Sequence, residues 1–214
     1  DWDRRWDRVF DPALGAFGQW FAGARLNTCF NALDRHVRDG RGGQTALIWD
    51  SPMAGRLERW SYAELRDRVA RVAGALRALG VGQGDRVVIY MPMVPEAAIT
   101  MLACARLGAV HSVVFGGFAA AELAKRIEDA RPVAVVSASC GLEPGRVVQY
   151  KPLLDEAIGL CAHKPAACRI LQRPQVQAAM QAGRDHDFAA AEAAARPADP
   201  VSMAATDPLD ILYT

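Results

Sequence analysis

GDRVVIYMPMVPEAAITMLACARLGAVHSVVFGGF (residues 84–118) decides the fold. RVVIY (86–90) and AVHSVVF (109–115) are short runs dominated by β-branched and aromatic residues, apolar at nearly every position. Strands of that kind are covered on both faces, as in a parallel sheet. PEAAITMLACARLG (95–108) lies between them, opens on a proline and closes on a glycine, the asymmetry of a helix start and stop. Strand, helix and strand at this spacing make a βαβ unit.

The alternation continues downstream. AAAELAKRIEDA (119–130) reads as a helix, PVAVVSAS (132–139) as a strand, YKPLLDEAIGLC (150–161) as a helix after its proline, and CRILQ (168–172) as a strand. Residues 174–200 are rich in Ala and Gln, with a helix expected at FAAAEAAAR (188–196). The closing DPLDILYT (207–214) reads as the start of a buried strand through Leu209, Ile211, Leu212 and Tyr213. Upstream, Ser61-Tyr-Ala-Glu64 is a capping box that opens a helix with Leu65, Val69, Val72, Ala73, Leu76 and Leu79 on one face and Gly80 at its end. TALIWD (45–50) and LERWS (57–61) form a hairpin around DSPMAGR (50–56). LNTCFNALDRHV (26–37) is a helix capped by Asn27 and ended by Gly40, Gly42 and Gly43, and before it Trp2, Trp6 and Trp20 mark an extended arm held by aromatic contacts. The expected class is α/β, a mainly parallel sheet with helices on both faces. An arm and helix (residues 1–43) precede an incomplete α/β domain (44–214).

Composition narrows the function. Of the 214 residues, 51% are hydrophobic and 23% charged, which is ordinary for a globular chain. The net charge of +1 offers no field for nucleic acid. No apolar run is long enough to cross a bilayer, and the charged, aromatic start does not read as a signal peptide. Five scattered cysteines (29, 104, 140, 161 and 168) favour reduced thiols, hence a cytoplasmic location.

Several motifs bear on chemistry. GVGQGDRVV (80–88) has glycines in a dinucleotide-like pattern, but they follow a helix and precede a strand, the reverse of what a pyrophosphate turn requires. VVFGGFAAAEL (113–123) has the right order, and its glycines could turn N–H groups toward an anion. A tight turn with no ligand fits the same spacing. SASCGLEPGRVVQYK (137–151) follows a strand end as a loop and ends with Arg146 and Lys151; an arginine there can fork onto a phosphate, and a solvated loop arginine is the alternative. Cys140 has no histidine near it in sequence and reads as inert. Cys161, His163 and Cys168 fall short of four zinc ligands. His111, inside an apolar strand, reads as a hydrogen-bonded core histidine.

Taken together, WSYAELRDRVARVAGALRALGV (60–81), the stretch 84–118 and the final DILYT resemble the AMP-forming acyl-CoA synthetases of the adenylate-forming superfamily. LNTCFNALDRHV is similar to their acetyl/propionyl branch, and SASCGLEPGRVVQYKPLLDEAI (137–158) is most similar to propionyl-CoA synthetases. The resemblance implies the N-terminal portion of a ligase that uses ATP and Mg²⁺ to convert propionate, or acetate, to an acyl-adenylate and passes the acyl group to coenzyme A. It implies that Phe115, Gly116 and Gly117 lie against the coenzyme, with Phe115 stacking on adenine and the glycines admitting the pantetheine arm. It also implies that Arg146 binds a coenzyme phosphate, while Glu143 stands where the family has an arginine. Thr214 would begin the ATP phosphate loop. Catalytic residues, the metal site and the acyl pocket would lie in the remainder of the same synthetase, leaving this portion inactive alone. The implied partners are a small carboxylate and coenzyme A, with no nucleic acid and no membrane. A stand-alone module that binds coenzyme A or a partner without catalysis is the alternative.

Overall fold

A computed structural model describes residues 1–213. The N-terminal arm folds back on itself instead of extending: β1 (Arg8–Asp11) and β2 (Gln19–Ala22) form an antiparallel hairpin, followed by the short strand β3 (Arg25–Leu26). Trp2, Trp6 and Phe21 hold it, with ring centroids 5.2–5.4 Å apart. Asn27 caps the next helix, its Oδ1 accepting the Phe30 N–H at 3.0 Å. That helix contains two widened π-type stretches, Phe30–Asp34 and Val37–Arg41, and turns out of helical geometry at Gly40 (φ +79°).

β4 (Thr45–Ser51) and β5 (Arg56–Ser61) form the expected hairpin. Ser61 then opens α1 (Tyr62–Ala78) with both halves of the capping box: Ser61 Oγ accepts the Glu64 N–H at 3.3 Å, and the Glu64 carboxylate accepts the Ser61 N–H at 2.8 Å. The chain continues through β6 (Arg86–Met91), α2 (Pro95–Leu107), β7 (Val110–Phe115), α3 (Ala120–Ala130), β8 (Ala134–Ala138), β9 (Cys140–Glu143), β10 (Arg146–Gln149) and α4 (Tyr150–Leu160). It ends through β11 (Ala167–Leu171), β12 (Asp185–Asp187), α5 (Phe188–Ala194) and β13 (Met203–Ala204).

The central sheet runs β12-β11-β8-β6-β7, parallel throughout. From β6 the chain steps outward to β7, then crosses back to β8 on the other side of β6, which creates a switch point at the carboxyl edge. Val87 and Ile89 of β6 pack with α1, α2 and Phe188 on one face, while Val88 and Tyr90 pack with α3 and α4 on the other. The mainly parallel α/β sheet with two covered faces is therefore as the sequence implies.

Besides the arm, four local readings change. Residues 140–149, expected as a loop, form an antiparallel hairpin of β9 with β10. Helix α4 begins two residues before Pro152, which is tolerated because first-turn N–H groups have no partner within the helix. β12, Asp-His-Asp, was not anticipated; it extends the sheet beside β11. The closing segment does not form a strand. It makes a single parallel bridge along the outer edge of β7, with His111 N–H donating to Leu209 O (3.2 Å) and Ile211 N–H to His111 O (2.9 Å). Leu212 is 79% exposed, because this segment has a neighbour on one side only. Thr214 lies outside the described residues.

Candidate functional site

The carboxyl edge of the sheet delivers two segments to one place. β7 ends at Phe115, and the turn through Gly116 and Gly117 leads into α3. The Phe115 side chain projects from the surface, the residue being 69% exposed, and its ring meets Phe118 edge-on at 5.7 Å. β8 ends just before the β9–β10 hairpin. There Pro144 and Gly145 (φ +74°) occupy the central positions of a tight turn, with proline first and a left-handed glycine second. Glu143 and Arg146 therefore face each other across the turn, and Arg146 Nε donates to the Glu143 carboxylate at 2.7 Å.

The hairpin is anchored at its base. Ser139 O accepts the Tyr150 N–H (3.1 Å), Ser139 Oγ accepts the Arg173 N–H (2.8 Å), and the Arg173 guanidinium donates to Cys140 O (3.1 Å).

Tyr150, absent from the sequence-level candidates, joins the two segments. It is buried and stacks on Tyr90 with centroids 4.9 Å apart and planes 27° apart. A methyl group on Gly116 would overlap the Tyr150 hydroxyl, and one on Gly141 would lie 2.7 Å from it. Tyr90 Oη donates to Phe118 O at 3.0 Å, tying the far side of the turn to the centre of the sheet. Burial raises both phenols, that of Tyr90 to about 12, so both rings are neutral at physiological pH. No local signal marks Tyr150, since its partners Gly116 and Tyr90 are far away in sequence. The bare backbone at Gly116 thus has a reason within the chain: it accommodates Tyr150.

Other candidates have different roles. Lys151 is buried and bonded to Asp155 (2.6 Å) and Asp185 (2.8 Å), so its charge is committed. Burial works against the charged form of the Asp185 carboxyl, but bonds from Arg184 and Lys151 hold it below its ordinary range. Cys140 is fully buried, as are Cys104 and Cys168, whose thiols burial pushes up to about 12. Cys161 Sγ contacts Ala124 O and Ala157 O, and His163 Nε2 lies 2.8 Å from Pro132 O. His111 is buried, but its Nδ1 has no hydrogen-bond partner among the described residues, contrary to the expected bonded core histidine. A cleft of about 290 Å³ lies elsewhere on the carboxyl side, between Trp49, Trp60, Arg68 and Gln172.

The family described as AMP-binding enzyme matches residues 33–214, and the description acetyl-coenzyme A synthetase N-terminus matches residues 1–32. The chain belongs to the AMP-binding enzyme family. Among its relatives is the mouse acyl-CoA synthetase short-chain family member 3, mitochondrial, 45% identical over all 214 residues, which make up 31% of that protein. The propionate–CoA ligase of Escherichia coli is 44% identical over 189 residues, covering 88% of this chain and 30% of the ligase. The solved acetoacetyl-CoA synthetase from Streptomyces lividans superposes over the whole chain and 32% of its own, with TM-score 0.87 and 26% identity. This AMP-binding enzyme chain thus spans about a third of the length of the relatives it matches. Among its described residues, no helix is long and apolar enough to cross a membrane.

Proposed function

We propose that the chain supplies the N-terminal portion of an AMP-forming short-chain acyl-CoA synthetase. Its substrates would be ATP, a small carboxylate (propionate first, acetate second) and coenzyme A. The observation that carries this reading is the likeness to a short-chain acyl-CoA synthetase over the whole chain and to a propionate–CoA ligase over 88% of it.

The site fits the coenzyme. Phe115 offers an exposed aromatic face to a nucleobase, and Arg146, with 71% of its side chain exposed, offers a guanidinium to a phosphate. Between them Gly116 and Gly117 would present backbone to the pantetheine arm, the places of their side chains being taken by Tyr150 and by the Phe115 ring. Glu143 competes with the incoming phosphate for Arg146, because the carboxylate already accepts from it. Bound ATP with Mg²⁺ would activate the carboxylate; the residues of this chain contribute the coenzyme side. Thr214 would open the phosphate loop and lies outside the described residues.

The test is carboxylate-dependent exchange of pyrophosphate into ATP by the polypeptide as its gene encodes it. Exchange with propionate exceeding that with acetate supports the reading. Coenzyme A binding with no exchange for any short carboxylate would replace it with a non-catalytic coenzyme-binding module.

A further inference from the structure

We infer that Tyr150 is a positioning residue: its ring is the spacer that holds the Phe115–Gly117 turn and the β9–β10 hairpin at a fixed separation. The coenzyme consequence of this inference rests on the proposed function; the mechanical part does not.

The turn and the hairpin belong to different crossovers and share no strand pairing. What they share is one aromatic ring. Gly116 and Gly141 each leave out a side chain that would collide with Tyr150 at the ring as well as the hydroxyl: a methyl on Gly116 would lie 2.6 and 2.8 Å from Cζ and Cε2, and one on Gly141 2.8 Å from Cε1 and Cζ. Two glycines from separate segments meeting one phenol is a built arrangement, since a methyl on either would have to displace the ring. The ring cannot move aside freely. Tyr90 is stacked beneath it, fully buried, and bonded through its own hydroxyl to Phe118 O. The backbone of Tyr150 is also fixed, its N–H donating to Ser139 O at the hairpin base. Tyr150 is thus clamped at backbone and ring, and the two segments rest on it from either side. Among the described residues its hydroxyl has no hydrogen-bond partner, so the contact is one of shape. A group that only sets distance should be replaceable by another ring of the same thickness, and not by a side chain of different shape.

That yields a sharp comparison between Tyr150→Phe and Tyr150→Leu. Tyr150→Phe keeps the spacer. Tyr150→Leu shortens it and removes the stack on Tyr90. Hydrogen–deuterium exchange on the polypeptide as its gene encodes it reads the mechanical part without any ligand. In Tyr150→Leu the amides of residues 115–118 and of 140–149 should both exchange faster, by on the order of tenfold, while the strand amides of β6 and β8 keep their protection. Tyr150→Phe should match the parent. Faster exchange in only one segment, or equal loss of protection across the sheet, overturns the spacer.

Calorimetric titration with coenzyme A reads the consequence: Tyr150→Leu should raise its Kd about fivefold or more, and Tyr150→Phe should leave it within about twofold. Arg146→Ala and Phe115→Ala separate the two failures. If these weaken coenzyme binding and Tyr150→Leu does not, the spacer falls and the site stands. If neither they nor Tyr150→Leu alter coenzyme binding while the exchange result holds, the spacer stands and the coenzyme assignment falls.

Discussion

The Glu143 carboxylate accepts from Arg146 Nε at 2.7 Å across the Pro144-Gly145 turn, so the arginine proposed to meet a phosphate is already paired. Both side chains are on the surface, where such a pair is worth at most about 1 kcal/mol. A phosphate can therefore displace the carboxylate at small cost. Arg146→Ala should weaken coenzyme A binding, measured by calorimetric titration, by about tenfold, the loss of one charge-assisted contact. Glu143→Gln should tighten it by about two- to fivefold, by freeing the guanidinium. Tighter binding after Arg146→Ala would contradict the assignment of that residue.

Arg106 on α2 forks onto Asp34 of the N-terminal helix, with Nη1–Oδ2 at 2.7 Å and Nη2–Oδ1 at 3.0 Å, and its Nε donates to Ala198 O at 2.6 Å. The arginine is almost fully buried. Removing the carboxylate leaves an uncompensated charge inside, so Asp34→Ala should cost about 3–5 kcal/mol in urea unfolding. A cost below about 1 kcal/mol would mean that water reaches the guanidinium.

Gly74 sits inside α1, where alanine would ordinarily stabilise a helix by up to about 1 kcal/mol. Here the backbone of Arg196 crosses the helix so closely that an added methyl would overlap its carbonyl oxygen and lie 2.9 Å from its carbonyl carbon. Backbone cannot swing aside as a side chain can, so the clash outweighs the propensity. Gly74→Ala should destabilise by about 1–3 kcal/mol. Thermal melts of the two proteins decide the sign.

Burial lowers the His111 imidazole below its usual 6.5, and the nearby Asp210 carboxylate opposes that shift without reversing it. The unfolded chain then takes up a proton at a higher pH than the folded one. Its contribution to stability is constant above the unfolded value and falls as pH drops from about 6.5 toward the folded value, by no more than about 1.4 kcal/mol per pH unit. Urea titrations from pH 8 to pH 5 should show this decline, with a shallower slope in His111→Gln. Equal slopes would remove His111 from the account.

The parts of the fold legible in sequence were those whose signals are local. The capping box at Ser61 and Glu64, the apolar strands at 86–90 and 109–115, and Gly108 closing α2 at φ +70° each depend on residues adjacent in the chain. The hairpin at 140–149 was hidden because its strands are four residues long and pair only with each other, so Glu-Pro-Gly-Arg reads equally well as a loop. β12 carries two aspartates, and the Asp185 side chain is buried only because the adjacent Arg184 and Lys151, distant in sequence, neutralise it. At the candidate site, Phe115, Gly116, Gly117 and Arg146 were visible as strand-end residues. Tyr150 was not, because its role is defined by glycines that approach it in space.

The arm and the closing residues are bonded to each other. β3 pairs with β13, Ser202 Oγ donates to Asp3 across 199 positions, and Asn27 Nδ2 donates to Val201 O. On the ribosome residues 3–27 therefore emerge long before their partners at 201–204 exist. At about 5–20 residues per second the arm waits roughly 10–40 seconds for them. The βαβ units from β6 to β8 close on near neighbours and can form while synthesis proceeds. Within residues 1–213 the pairing of the arm with β13 is then a late event, and in a newly made chain it should follow the formation of the sheet from β6 to β8.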